Sequence, residues 1–156
     1  MAPHNCYRCK GEDKWISIAV ATDEEWDAFC KVLGNPSWAK EPRFASAAER
    51  WKYQAELDKL IEDWTINCTH FEVMEILQKA GVAAMPCFNA EELFNNPHLD
   101  YRECWAKIRH PIAGEKAALA PSWKLSQTPA KIDSPAPLFG QHTSYVLIMF
   151  SKNYWV

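Results

Sequence analysis

The chain has 156 residues, 48% hydrophobic and 24% charged, the balance of a soluble globular protein with a core of its own. A net charge of −3 leaves no basic excess to neutralise phosphates, which argues against nucleic acid as the main partner. The first ten residues are polar and lack the apolar stretch of a secretory leader, and the longest apolar run, Tyr145 to Phe150, is too short to span a bilayer. The expectation is therefore a cytoplasmic protein with no membrane contact, its six cysteines free thiols and its eight tryptophans apolar anchors.

Cys6 to Cys9 reads as a short strand, and Lys10 to Lys14 as a polar turn. Trp15 to Val20 is rich in β-branched and aromatic residues, which completes a predicted hairpin. Thr22 with Glu25 forms a capping box that opens a helix, where Trp26, Phe29, Cys30 and Leu33 make one apolar face. Gly34 and Pro36 close it. Trp38 to Ser46 reads as irregular. A longer helix is predicted over 47–65 from the stripe Leu57, Leu60, Ile61 and Trp64.

Thr69 with Glu72 is a second capping box, opening a helix with Phe71, Met74, Ile76 and Leu77 that ends at Gly81. Val82 to Phe88 reads as extended. Asn89 with Glu92 starts a third short helix, and Pro97 ends it or lies just past it. Cys104 to Arg109 and Lys116 to Ala120 read as a second hairpin around His110 to Gly114. Pro121, Pro129, Pro135 and Pro137 then keep the chain extended. The fold class expected is α+β: small antiparallel hairpins packed with three to four helices, in a single domain over 1–156 that could subdivide near 66–70.

Several stretches, in this order, resemble the family III CoA-transferases, the group that includes formyl-CoA transferase and carnitine CoA-transferase. They are Pro3 to Val20, Thr22 to Pro36, Glu41-Pro42-Arg43-Phe44, Ala80 to Cys87, Asn96 to Leu99, His110-Pro111 with Gly114, Ser126 to Pro129, and Ala136 to Thr143. The resemblance runs from about residue 3 to residue 143 and implies the C-terminal portion of such an enzyme. In that family one aspartate attacks the acyl-CoA, and the intermediate is carried on its carboxylate. The resemblance places this aspartate, the shielding glycine-rich loop and most of the CoA-binding residues ahead of the segment seen here. It thus implies no catalytic residue in this chain and no activity from it alone. A coenzyme A thioester is the implied family substrate, with no bound cofactor. The implied partners are a second copy, a chain carrying the N-terminal half, or acyl-CoA.

None of the seven aspartates lies in the catalytic motif, and Asp23, Asp27, Asp58 and Asp63 read as solvated helix positions. His4 and Asn5, next to where the family's glycine loop would end, are candidates for facing an acyl substrate. Gln141 and His142 form a second polar pair, in an otherwise apolar proline-rich stretch. His70, His98 and His110 lack a carboxylate at fixed spacing, so no general-base role is expected.

Cys6 and Cys9 form a CxxC, but positions three apart on a strand point to opposite faces, and no second ligand pair exists. No metal site is expected there. Ser144 to Phe150 departs from the family's charged helix: it could be a buried strand, a buried helix or an oligomer contact, and exposed it would risk aggregation. Two alternatives stay open, a non-catalytic interaction or ligand-binding module and, behind it, a metal or redox protein using the CxxC.

Overall fold

The structure, a computed structural model, describes residues 1–132 and 134–153. It comprises two compact units, Met1–Asn89 and the residues from Ala90 onward. Residues 66–70 lie inside the first unit. The fold is α+β, as expected.

In the first unit, β1 (His4–Arg8), β2 (Trp15–Ala19) and β3 (Ala83–Pro86) form an antiparallel sheet in the order β1-β2-β3. The register pairs Cys6 with Ser17 and Tyr7 with Ile16, and continues with Ser17 opposite Met85. Alternation then sends Tyr7, Ile16, Ile18 and Ala84 to one buried face. Helices cover that face: α1 (Asp23–Val32), α2 (Ala47–Lys52), α3 (Gln54–Thr65) and α4 (His70–Lys79). Phe29, Phe44, Leu57, Ile61, Val73 and Leu77 complete the core with no exposure. Each such side chain contributes about 1.5–3 kcal/mol relative to leaving it in water.

Both helix starts sit where the sequence put them, with a reciprocal capping box at Thr69 and a side-chain cap at Thr22. Thr22 accepts from the Glu25 amide at 3.2 Å, and Glu25 reaches back to the Ala21 amide at 2.6 Å. Thr69 accepts from the Glu72 amide at 3.2 Å, and the Glu72 carboxylate accepts from the Thr69 amide at 2.8 Å. Thr65 donates its hydroxyl to the Arg8 carbonyl at 2.7 Å, which ties α3 to the first strand.

The helix expected over 47–65 is two helices. At Tyr53 the backbone leaves the helical range (φ −102°, ψ 27°). Arg50, Leu57 and Ile61 are seven and eleven positions apart, so they share one helical stripe and the periodicity runs through the break unseen. Trp38 to Ser46 holds two short 3₁₀ turns, Ser37–Lys40 and Pro42–Phe44.

In the second unit, α5 (Ala90–Phe94) and α6 (Pro97–Tyr101) precede the hairpin of β4 (Trp105–His110) and β5 (Gly114–Leu119). Pro97 lies past the end of α5, one of the two expected placements, and opens α6. Its fixed φ suits the first helical position, and the Asn96 side chain caps that turn by accepting from the His98 and Leu99 amides at 3.0 and 3.2 Å. The run from Ser144 to Phe150 is helical, within α7 (Thr143–Asn153), with its large apolar side chains exposed. Residues 154–156 of the tail lie outside the described residues. The described residues thus hold seven α-helices, more than the three to four expected. Two of the extra ones, α2 and α6, are six and five residues long, too short to show a periodic stripe, and the third is α7, whose apolar run was left open between strand and helix.

Candidate functional site

The geometry of the first candidate pair starts at a buried cation. Arg50 on α2 is 1% exposed. Its guanidinium donates to the Ala2 carbonyl at 2.9 Å, the Phe44 carbonyl at 3.2 Å and the Asp23 carboxylate at 2.9 Å. It also lies over the Trp26 ring, 4.5 Å from the centroid. A planar fork with fixed donors suits several acceptors at once, which a lysine could not match. The fork fixes Ala2, and the Val20 amide donates to the Pro3 carbonyl at 2.9 Å, so the chain enters β1 in a set direction.

That direction separates the two N-terminal candidates. His4 is exposed and belongs to the sheet face left open by the helices. Asn5 belongs to the helix side: its Nδ2 donates to Asp58 Oδ2 at 2.9 Å and its Oδ1 accepts from the Cys6 amide at 2.9 Å. Asp58 on α3 is half-buried and also accepts from the Tyr7 hydroxyl at 2.8 Å. Burial first, then the Asp58 hydrogen bond and charge, push the Tyr7 hydroxyl far above its ordinary range, so it stays a donor.

Asp58 is therefore not the solvated position its helix pattern suggested. Asp23 is exposed as its helix position suggested, and its carboxylate also accepts from the buried Arg50 guanidinium. Sequence reasoning missed both contacts because the partners lie 53 and 27 positions away.

The open face of the sheet carries three rows of side chains: His4, Ala19 and Ala83; Cys6, Ser17 and Met85; Arg8, Trp15 and Cys87. A shallow depression of about 420 Å³ lies along its β3 side, lined by Ser17, Ala19, Ala83, Met85 and Gln78. Cys9 lies on the other side of the sheet. It is 1% exposed, its sulfur contacts the Tyr7 carbonyl at 4.0 Å, and burial pushes its thiol up to about 11. The two cysteines of the CxxC thus occupy opposite faces.

In the second unit, Gln141 and His142 line a depression of about 360 Å³ with Leu138, Val146 and Leu147. Gln141 turns its Oε1 back to accept from the Leu138 amide at 2.7 Å, which closes the turn ahead of α7. The His142 carbonyl accepts from the Val146 amide in the first turn of that helix. Its ring is exposed in an apolar setting, which can orient a polar ligand group but holds no nucleophile.

Comparison with known proteins gives these local features a context. The model of CoA-transferase family III matches residues 1–143. A succinyl-CoA–D-citramalate CoA-transferase of Chloroflexus aurantiacus is 32% identical over 142 residues, covering 91% of this chain and 35% of the relative. A formyl-CoA:oxalate CoA-transferase of Bradyrhizobium diazoefficiens is 32% identical over 148 residues, covering 93% of this chain and 35% of the relative. The chain thus spans about a third of the length of these curated relatives. The crystal structure of a CaiB/BaiF family protein from Brucella suis superimposes with a TM-score of 0.75 at 24% identity, covering 95% of this chain and 37% of that one.

Proposed function

Because this chain belongs to CoA-transferase family III, we propose that it is the C-terminal module of an enzyme that moves coenzyme A between carboxylic acids. The reading rests on one observation, a family match across residues 1–143 in a chain about a third as long as its relatives. In the route the family implies, an aspartate carboxylate attacks the thioester carbonyl, the C–S bond breaks, and CoA leaves as thiolate. The thiolate then attacks the aspartyl carbonyl of the mixed anhydride, which releases the donor acid and leaves CoA on the aspartate for the acceptor.

Within this chain Asp23 and Asp58 are engaged in structure, as the Arg50 and Asn5–Tyr7 contacts describe. On the family resemblance, the nucleophile belongs to the remainder of the enzyme and the module alone lacks activity. Its role is to wall the acyl side of the site. His4 on the open sheet face of the first unit and, separately, His142 beside the apolar depression of the second are the proposed substrate-facing side chains, with Gln141 shaping the turn ahead of α7 and Asn5 holding β1 to Asp58. The remainder of the enzyme, or a second copy of this chain, covers the apolar surface of α7.

A thermal-shift titration with CoA, acetyl-CoA and succinyl-CoA tests the reading. A ligand at 100 times its dissociation constant stabilises the folded state by about 2.7 kcal/mol. A saturable rise that His142→Ala or His4→Ala reduces supports an acyl-side module. No rise with any thioester favours a non-catalytic interaction module instead.

A further inference from the structure

Cys6 and Cys87 are far apart in sequence, yet both are exposed on the open face of the sheet with their sulfurs 3.9 Å apart. Strand β2 runs between them. The two sulfurs meet on that face as free thiols, at contact distance and unbonded.

The spacing does fit two sulfurs sharing one ion. A sulfur-to-metal bond of about 2.3 Å places two thiolates about 3.8 Å apart on a tetrahedral ion and about 4.0 Å apart on a trigonal one. A third soft donor lies on the same sheet face: Met85 is opposite Ser17, two positions before Cys87, and is 49% exposed. Among the described residues no group of three or more His, Cys, Asp and Glu side chains could hold a metal. Four-ligand zinc and oxygen-seeking ions are thus poorly served, whereas thiolate with thioether is the donor set that suits Cu(I).

We propose that Cys6 and Cys87, with Met85 beside them, form a binding site for a soft monovalent cation, Cu(I) or its analogue Ag(I). Binding replaces two S–H bonds by two metal–sulfur bonds. Both protons pass to the buffer, the ion stays at +1, and no electron moves.

The test is an anaerobic titration of the reduced 156-residue chain with Cu(I), in competition with a chromophoric Cu(I) chelator, and a parallel titration with Ag(I). The expected result is one equivalent bound with two protons released. Cys6→Ser and Cys87→Ser should each lower the affinity by more than the roughly 100-fold that losing an outer partner of a metal site costs. Met85→Leu should lower it at least about tenfold, in the range of such an outer loss, and Cys104→Ser should leave it unchanged. All but Cys104 occupy exposed positions, so melting curves should coincide with the parent and separate loss of binding from loss of fold. Binding that survives the Cys6→Ser/Cys87→Ser double substitution, or a parent chain that binds Cu(I) no tighter than that double variant, overturns the proposal.

Discussion

Arg50→Ala removes the fork that holds the entry to β1, and its cost can be worked out contact by contact. The Ala2 and Phe44 carbonyls, both on fully buried residues, lose their donor. An orphaned buried polar group costs about 1–3 kcal/mol. Loss of the guanidinium from the face of Trp26 adds about 1 kcal/mol. The sum is about 3–7 kcal/mol, a fall in melting temperature of about 12 °C or more for a unit this size. The ion pair contributes little of this, because the Asp23 side chain is 76% exposed and rehydrates when its partner leaves. Asp23→Asn should therefore cost under about 1 kcal/mol. Thermal melts followed by circular dichroism give the two values. Hydrogen exchange at the Val20 amide, which donates to the Pro3 carbonyl, reports the N-terminal arm directly and should accelerate only in Arg50→Ala. If Asp23→Asn is as damaging as Arg50→Ala, or if Val20 stays protected without the guanidinium, the carbonyl-fork reasoning is wrong.

Thr69→Ala should destabilise the first unit by about 1 kcal/mol through loss of the α4 cap, read from denaturant midpoints. Hydrogen bonds from the Thr69 amide, then from its hydroxyl, hold the Glu72 carboxyl below its ordinary range. A depressed carboxyl stabilises the fold above its unfolded pKa of about 4.3 and loses that contribution as pH falls through the folded value. The stability gap between parent and Glu72→Gln should accordingly close on acidification through pH 4 and stay open at neutrality. Burial pushes the Cys9 and Cys30 thiols up to about 11, so at pH 8 only roughly a thousandth of each is thiolate. Mass-resolved alkylation should modify both far more slowly than exposed Cys6, and equal rates would contradict their burial. Leu147→Lys with Phe150→Lys places charge on the exposed apolar helix α7 and should lower self-association in sedimentation velocity, with no change if α7 makes no contact between copies.

Local chemistry wrote much of this fold into the chain. The pairs Thr22–Glu25 and Thr69–Glu72 fix helix starts because the groups involved lie within four residues of each other. Trp15 to Ala19 declares itself a strand by composition, and the ordered family-like stretches from Pro3 to Thr143 place the chain in its family. The separation of Cys6 from Cys9 also follows from sequence, because alternation on a strand is set by backbone geometry alone.

What the sequence left undecided depends on distance along the chain. Asp58 looked solvated until α3 crossed β1 and brought Asn5 and Tyr7 to its oxygens. The acceptors around Arg50 come from three segments that only the packed fold brings together. His4 and Asn5 were adjacent candidates, and pleating sent one to open solvent and the other to the helices. Cys6 and Cys87, 81 positions apart, became neighbours only when β3 joined the sheet beside β2. A residue's intrinsic preferences act over a few bonds, whereas the partner of a charge or a thiol is chosen by whatever the packed core brings within about 4 Å.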